Sequence, residues 1–578
     1  MTNSLVLQVR KFINVYKPSK AFLKKLILLN LLSSIFDLIG VVSIIPLLST
    51  ILSKESKTYI LLENICAAYF GISDSFNVVL LALIGYLLII LFNTVIRVYV
   101  LNRTQLLISK LSTDVSVILF SKTLHEDFEV LSSKHSSEII GDMTLRLSVF
   151  TGYISSIAII TNSLLISIGL LFTMFFILPM FVFPFLGLIF GIYFVLNKKL
   201  KNRIIQNSKI ALDSQNKLIV LIQNSIGSIR DVIIANRFDF FVNNFGHYGK
   251  VYNDIQAKNH LFGHSPRYIL EFVGSLIIVM IILGLMLIGA DNDLVISKVA
   301  LVVVSFQRLL PSIQAIYQNV SSMQSVYFTI TDLLNILEKK VANYFNESSN
   351  LFFTKSFKIS DLTFSYKMEK SKVLDNVSLE FRKGDKIGIV GKTGSGKSTL
   401  VDLIMGLIKQ RSGSIYVDDV LLNDNNLSSW RSKISFVPQK IFLFDATVAE
   451  NIAFGVDASF IDYNLVVDIL KKIGLYDYFN SKPEGINYVI GEDGIKLSGG
   501  QRQRIAIARA LYAKSSVIIF DEATSALDME TEAEIVNVLS GLSDDLTQIY
   551  ITHRPYTLDR CNLVFKVDAG QVKLMKQL

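Results

Sequence analysis

Residues 147–197 contain no charged side chain, and this run constrains the fold more than any other feature of the chain. A helix needs roughly 20 apolar residues to cross a bilayer, so the run is long enough for two spans, interrupted by Pro179 and Pro184. A buried helix of a soluble protein would be shorter and amphipathic. Because 51% of the whole sequence is hydrophobic, the chain is predicted to be a membrane protein.

Six spans are predicted, at residues 25–48, 76–100, 152–178, 180–197, 269–290 and 295–317. Basic residues precede the first span and follow the second and fourth: Lys17, Lys20, Lys24, Lys25, Arg97, Arg103, Lys110, Lys198, Lys199, Lys201 and Arg203. The opposite loops are poorer in basic charge, so both termini are predicted to be cytoplasmic. The net charge of +9 then belongs beside the membrane surface and in the cytoplasmic extensions, and no nucleic acid partner is expected.

The last third of the sequence carries a glycine-rich loop that fits the pattern G-x-x-x-x-G-K-[ST]. It consists of Gly391, Lys392, Thr393, Gly394, Ser395, Gly396, Lys397 and Ser398. In this pattern the backbone N–H groups wrap nucleotide phosphates, Lys397 reaches the terminal phosphates and the Ser398 hydroxyl ligates Mg²⁺. A glycine-rich turn that binds nothing is the alternative for an isolated match.

The flanking residues favour the phosphate-binding reading. Residues 385–390 form a short apolar strand, and residues 398–405, with Thr399 in the first turn, continue as a helix whose N-terminus faces the anion. Further along, an apolar run leads to Asp521, which can hold Mg²⁺ through water. Glu522 follows it and is placed to polarise an attacking water. The sequence therefore predicts an ATP site with Mg²⁺.

Together with the stretch 497–501, these motifs make residues 357–572 resemble the nucleotide-binding domain of ABC transporters. The resemblance implies that Ser498, Gly499, Gly500 and Gln501 cap the γ-phosphate held by the opposite subunit, so a complete site needs two copies. The start of a helix near Gln501 is also a natural anion site.

The remaining family residues follow in order. The resemblance implies that Tyr366 stacks on adenine, that Gln439 serves both catalysis and the metal, that Asp528 belongs to the D-loop, and that His553 lies near the γ-phosphate. Taken singly, Tyr366 and Gln439 would be an ordinary strand tyrosine and a solvated glutamine. Their register with the loop at Gly391 favours the functional reading.

The predicted fold is a multidomain membrane protein of the ABC exporter type. A six-helix α-helical transmembrane domain at residues 1–337 precedes a linker at 338–355 and a P-loop α/β nucleotide-binding domain at 356–578. Long polar, helix-patterned excursions follow the second and fourth spans. The exporter resemblance implies that they bear coupling helices, which we place near residues 125–135 and 209–223.

Charged residues in or near the spans indicate where a substrate binds, because a buried charge is costly without a partner or a wet cavity. Arg267 lies four residues before Glu271, and the two could simply pair along a helix. Arg308 has no carboxylate at helical spacing. The two arginines are therefore the candidates for an anionic substrate group.

Residues 266–271 and 307–312 resemble parts of the lipid-linked oligosaccharide flippases of bacterial protein glycosylation. The resemblance implies a homodimeric, ATP-hydrolysing half-transporter of the inner membrane that flips a lipid-linked oligosaccharide or related glycolipid, with Arg267 and Arg308 on the pyrophosphate. Export of a peptide, a drug or another lipid remains the alternative. A soluble ATPase acting on ribosomes or DNA is excluded by the hydropathy.

Overall fold

The computed structural model describes residues 3–16, 18–52, 54–70, 74–133, 136–177, 179–287, 292–339, 350–366, 371–522 and 545–577. The chain divides into two compact units, of which the first comprises Met1–Leu124 and Lys134–Val341. The second comprises His125–Ser133 and Ala342–Leu578. The predicted domain 1–337 therefore includes one short segment, His125–Ser133, that packs with the second unit. A local helix pattern does not reveal on which unit the helix packs.

The described part of the first unit is helical. Its first helices are α1 (Asn3–Val15), α2 (Ser19–Val42), α3 (Ile44–Leu52), α4 (Lys57–Phe70) and α5 (Ser75–Leu124). Helix α6 (Phe128–Ser133) belongs to the second unit. The first unit continues with α7 (Ser136–Ile177), α8 (Pro179–Gly227), α9 (Ile229–Ile234), α10 (Phe238–His264), α11 (Pro266–Leu287), α12 (Asn292–Ser325) and α13 (Tyr327–Glu338).

Three helical stretches among the described residues are long and apolar enough to cross a membrane: Ser19–Ile51, Ser75–Leu124 and Ile139–Thr173. They overlap the first three predicted spans, at 25–48, 76–100 and 152–178, but have different bounds. The first span is not one helix, because α2 ends at Val42 and α3 begins at Ile44. Pro46 lies in the first turn of α3, where its missing N–H is tolerated, so a new helix begins there. The fourth, fifth and sixth spans fall largely on α8, α11 and α12 and stay predictions.

The second predicted coupling helix is wrong in position. Residues 209–223 lie inside α8, which continues without a break to Gly227. No residue in that stretch stops a helix, and the chain turns only after Gly227. The short helix that follows is α9.

A core of the first unit joins α1, α2, α5, α7, α12 and α13. Helix α5 contributes buried side chains at three- to four-residue spacing, which is the signature of one helical face: Ile108, Leu111, Val115 and Leu119. Helix α1 is fixed to α13 by the buried Gln8, whose Nε2 donates to the Tyr327 carbonyl at 2.9 Å and to Thr331 Oγ1 at 2.7 Å. The N-terminal helix is thus part of the packed fold.

The second unit combines two sheets with short helices. Its strands are β1 (Ser356–Phe364), β2 (Leu374–Arg382), β3 (Lys386–Val390), β4 (Ser412–Val417), β5 (Val420–Leu421), β6 (Ile434–Val437), β7 (Val517–Asp521), β8 (Thr547–Ile551), β9 (Leu563–Asp568) and β10 (Gln571–Gln577). Its further helices are α14 (Lys397–Ile404), α15 (Leu427–Arg431), α16 (Val448–Ile452), α17 (Tyr463–Lys472), α18 (Tyr476–Asn480), α19 (Gly499–Tyr512) and α20 (Pro555–Asp559).

The larger sheet has the order β10-β9-β3-β8-β7-β6, and all of its neighbours are parallel except the β9–β10 pair. The smaller sheet is antiparallel, with the order β2-β1-β4-β5. Strand β7 is buried from Val517 to Phe520, as expected of a strand covered on both faces. The carboxyl ends of β3 and β7 therefore lie at the same edge of the sheet, separated by β8.

The predicted linker at 338–355 is too long at its C-terminal end. Leu351 and Phe353 are buried in the core of the second unit, and the Phe353 ring meets the Trp430 ring edge-on at 5.5 Å. The Ser429 hydroxyl also accepts a hydrogen bond from the Leu351 N–H at 2.9 Å. The polar residues before position 350 suggested a hinge, but these two apolar side chains belong to the packed unit.

Candidate active site

The glycine-rich loop joins the end of β3 to α14, as the sequence predicted. A Cβ on Gly391 would lie 2.2 Å from the Val567 carbonyl oxygen, so no larger residue fits there. Gly396, the residue before the helix, has φ +104°, a conformation that L side chains rarely adopt. The two glycines allow the backbone to close around an anion at the start of α14.

The polar groups inside this loop suit a phosphate. The Lys397 ammonium donates to the carbonyls of Gly391 at 2.5 Å and Lys392 at 3.0 Å, so its charge is held within the loop. The Ser395 hydroxyl is buried and has no hydrogen-bond partner among the residues that the structure describes. A buried hydroxyl without a partner is destabilising, and a phosphate oxygen would satisfy it.

The two acidic residues of the predicted site lie at the end of β7, where Asp521 is the last residue of the strand and Glu522 follows it. Glu522 has φ +47°, which is unusual for a residue with a side chain, and its N–H donates to the Ile551 carbonyl at 2.9 Å. Gln439, which follows β6, donates from Nε2 to Glu522 Oε2 at 2.5 Å. The turn and the hydrogen bond together hold the Glu522 carboxylate at the sheet edge where the loop lies.

The donor set of Ser398, Gln439 and Asp521 fits Mg²⁺, which prefers oxygen ligands. It offers a hydroxyl, an amide and a carboxylate oxygen. Burial and the negative charge of Glu522 raise the pKa of Asp521, whereas Lys397 opposes that shift. Charge from a divalent ion at this carboxylate would offset its burial. These three residues would hold the ion, which would neutralise charge on the phosphates.

The other predicted nucleotide residues occupy different parts of the unit. Tyr366 follows β1 as the last residue of the described segment 350–366, and its hydroxyl lies 3.1 Å from Thr399 Oγ1 in α14. His553 is exposed, in the turn after β8. Asp528 lies outside the described residues. The structure thus brings Tyr366 to the loop helix through Thr399.

The signature residues form the N-terminus of α19. Ser498 Oγ accepts from the Gln501 N–H at 3.2 Å, and the Ser498 N–H donates to Gln501 Oε1 at 2.9 Å. This reciprocal capping box fixes the first turn, which also contains Gly499 and Gly500. Ser498 is exposed at this helix start, and no hydrogen bond links the four residues to the glycine-rich loop within the described part of the chain.

The two candidate substrate residues differ in what the structure describes. Arg267 Nε donates to Glu271 Oε1 at 2.6 Å, which is the helical pairing that their four-residue spacing allows. Arg267 is nevertheless half exposed, so its guanidinium keeps room for a second partner. Arg308 lies on α12, but its side chain is outside the described residues.

Asp402 is a residue near the site that the motifs did not reveal. It lies in α14, and burial together with the charge of Asp521 raises its pKa to about 6. The only signal in the sequence is a carboxylate on the helix after the loop, one turn beyond Lys397. The charged form of Asp402 is therefore disfavoured next to a predicted metal ligand.

We expect Asp402→Asn to stabilise the protein at neutral pH. The raised pKa means that the folded wild type binds more protons than the unfolded chain between about pH 4 and pH 6, so its stability falls over that window as pH rises. The variant should gain about 1–2 kcal/mol above pH 6, after allowance for solvent screening, and nothing near pH 4. Thermal unfolding in detergent with a chelator, from pH 4 to pH 8, measures this. A pH-independent difference would contradict it.

The fold and the site define a membrane protein fused to an ATP-binding unit. Family models for the ABC transporter transmembrane region and for the ABC transporter match residues 23–311 and 374–525, respectively. The chain belongs to the ABC transporter family. The predicted fold class, a helical membrane domain followed by a P-loop nucleotide-binding domain, is thereby confirmed, although six spans are not.

Several known proteins are similar to this chain. The ATP-dependent lipid A-core flippase of Francisella tularensis subsp. tularensis (strain FSC 198) is 42% identical over 214 residues, 37% of this chain and 35% of that protein. The match therefore spans about a third of that relative's length. The protein of the same description from Burkholderia pseudomallei (strain 1710b) is 26% identical over 490 residues, 82% of this chain and 78% of its own.

A solved structure shares the fold. The structure described as a bacterial Atm1-family ABC exporter with ATP bound superposes with a TM-score of 0.79, covering 96% of this chain and 95% of the other. Its sequence identity is 17%, so the similarity concerns architecture alone.

Proposed function

We propose that this chain hydrolyses ATP as a homodimer and uses that energy to flip a glycolipid across the inner membrane. The observation that carries the proposal is the edge of the larger sheet, where the phosphate loop at Lys397 and the Gln439–Glu522 pair follow strands of one sheet. A chain that joins this arrangement to helices long enough to cross a membrane suits ATP-driven transport.

The proposed chemistry follows from the residues. Lys397 and the loop N–H groups bind and orient the phosphates. Ser398, Asp521 and Gln439 would hold Mg²⁺, which would neutralise charge on the phosphates. Glu522 accepts a proton from the attacking water, with His553 beside the γ-phosphate. We assign Tyr366 to stacking on the adenine and Asp528, as the D-loop residue of the family resemblance, to nucleotide binding. Ser498 and its neighbours complete the site of the second copy.

The glycolipid is supported by the relatives, since both flippases described above act on lipid A-core according to their names. Within that class we propose a lipid-linked oligosaccharide, whose pyrophosphate requires cations while its tail remains in lipid. Arg267 and Arg308 are the proposed cations. Lys20, Lys24 and Lys25 before the first span support cytoplasmic termini.

We expect the double variant Arg267→Ala/Arg308→Ala to stop translocation of a lipid-linked oligosaccharide in proteoliposomes. Each charge-assisted contact contributes on the order of 1.5–3 kcal/mol, so the loss of two should be severe. Basal ATPase should remain, because both arginines lie on helices of the membrane unit. Replacement by Lys should retain part of the transport, since the charge stays while the bidentate geometry is lost.

The matched control is Arg103→Ala. Arg103 donates from Nε to the Tyr99 hydroxyl at 3.2 Å and is exposed on α5, so its loss should leave transport unchanged. Normal flipping by the double Ala variant would make the two arginines structural. A wild type that moves a peptide or a drug but no lipid-linked sugar would replace the glycolipid proposal by the alternative export function.

A further inference from the structure

Arg411, in the turn that leads into β4, holds the end of β1 through both its backbone and its side chain. Its N–H donates to the Thr363 carbonyl at 3.1 Å, and its Nε donates to the Ser365 carbonyl at 3.0 Å. The guanidinium also lies over the Phe364 ring, 5.5 Å from the ring centroid. Three successive residues at the end of β1 are therefore fixed by one arginine.

The next residue in the chain is Tyr366, the proposed adenine-stacking side chain. Its ring meets the Phe364 ring edge-on at 5.0 Å, and its hydroxyl contacts Thr399. Any shift of Tyr366 on stacking against a base is transmitted directly to Ser365 through the peptide bond. The guanidinium of Arg411 hydrogen-bonds that carbonyl, so a shift of Ser365 reaches Arg411 through a direct contact.

The other edge of the same guanidinium contacts Glu129. Arg411 Nη2 lies 3.4 Å from both carboxylate oxygens of Glu129, whose side chain is only 17% exposed. Glu129 is in α6, part of the segment His125–Ser133 that folds with the second unit. Helix α5, the longest apolar helix of the first unit, ends at Leu124 immediately before this segment.

We infer that Arg411 is a positioning residue that links occupation of the adenine site to α6, and through chain continuity to α5. A planar guanidinium can donate to a carbonyl along one edge and to a carboxylate along another at the same time, whereas an ammonium is a point charge without that fork. The inference rests on the proposed ATP-driven function and adds to it a route by which the base, as distinct from the phosphates, acts on the membrane unit.

The first test is hydrogen exchange of residues 125–133 in the full-length protein in detergent, with and without the non-hydrolysable ATP analogue AMP-PNP. The wild type should show slower exchange of this segment when the analogue is bound. Arg411→Ala and Glu129→Gln should lose that difference even at saturating analogue, and Arg411→Lys should restore part of it. The readout requires no transport substrate, so it does not depend on the identity of the glycolipid.

The matched control is Lys409→Ala, which removes a cation two residues away. Lys409 Nζ pairs with Asp424 at 2.5 Å, outside the chain of contacts from Tyr366 to Glu129. Its variant should keep the analogue-dependent protection of the wild type. Equal loss of protection in Lys409→Ala, or full protection in Glu129→Gln, would overturn the inference.

A second test uses kinetics to separate the effect of Arg411 on ATP binding from the effect of Glu129 on transport. Arg411→Ala should raise the KM for ATP roughly three- to tenfold, because the end of β1 loses one charge-assisted hydrogen bond. Glu129→Gln should leave that KM unchanged and lower the amount of lipid moved per ATP hydrolysed. The double variant should move as much lipid per ATP hydrolysed as Arg411→Ala alone, as expected when two residues act through one contact.

The outcomes keep the two proposals apart. If the wild type hydrolyses ATP but moves no lipid-linked sugar, the proposed substrate is wrong, while the protection of residues 125–133 still tests Arg411. If the wild type moves the lipid and Glu129→Gln moves as much per ATP, the link through Arg411 is wrong and the function stands.

Discussion

We expect Glu522→Gln to abolish steady-state ATP hydrolysis while leaving ATP binding intact, because Glu522 is the proposed general base. An amide cannot accept the proton of the attacking water, and loss of a general base lowers a rate by about 10²–10⁴-fold. The amide oxygen can still accept the hydrogen bond that Gln439 donates at 2.5 Å, so the turn at the end of β7 should keep its shape. Phosphate release and a direct titration with ATP measure the two properties separately.

The control for this variant is Glu380→Gln, which removes a carboxylate from an exposed position on β2 and should hydrolyse ATP at the wild-type rate. Lys397→Ala gives the opposite defect, since the charge held within the phosphate loop is lost and ATP binding itself should weaken. A Glu522→Gln variant that hydrolyses ATP near the wild-type rate would remove Glu522 from its proposed role.

The phosphate loop could be predicted because local sequence and fold agree there. The strand before Gly391, the glycines and the helix from Lys397 are each encoded within a few residues, and the structure places them as β3, loop and α14. The capping box of Ser498 and Gln501 is likewise a local pattern. The catalytic, metal and partner roles of these residues stay predictions.

Long-range features could not be predicted in the same way. Segment His125–Ser133 reads as a short helix in either unit, and its place in the second depends on contacts far along the chain, such as that of Glu129 with Arg411. The pairing of Gln439 with Glu522 depends on the parallel neighbours β6 and β7, which hydropathy does not order. Polar residues also precede Leu351 and Phe353, so the sequence did not predict that these two side chains are buried.

A mixed dimer should show whether the ATP site is shared between two chains. In one arrangement Ser498→Arg is in one subunit and Lys397→Ala in its partner; in the other, both changes are in the same subunit. If α19 of one chain completes the loop of the other, the first arrangement places both lesions in one site and leaves the second site whole. The other arrangement damages both sites, and its ATPase activity should fall to the level of the Lys397→Ala homodimer.

The two mixed dimers can be compared directly because they contain the same substitutions in the same number. The capping box pairs Ser498 with Gln501 at the N-terminus of α19, so an arginine at position 498 removes the hydroxyl acceptor and introduces bulk and charge at the helix start. Any general loss of stability would be equal in both dimers, which thermal unfolding can verify. Differentially tagged subunits purified in two steps give the defined pairs, and ATPase activity is then measured at saturating ATP. The reverse order, with more activity when both changes share a subunit, would show that each chain completes its own site, and equal activity would likewise contradict the shared site.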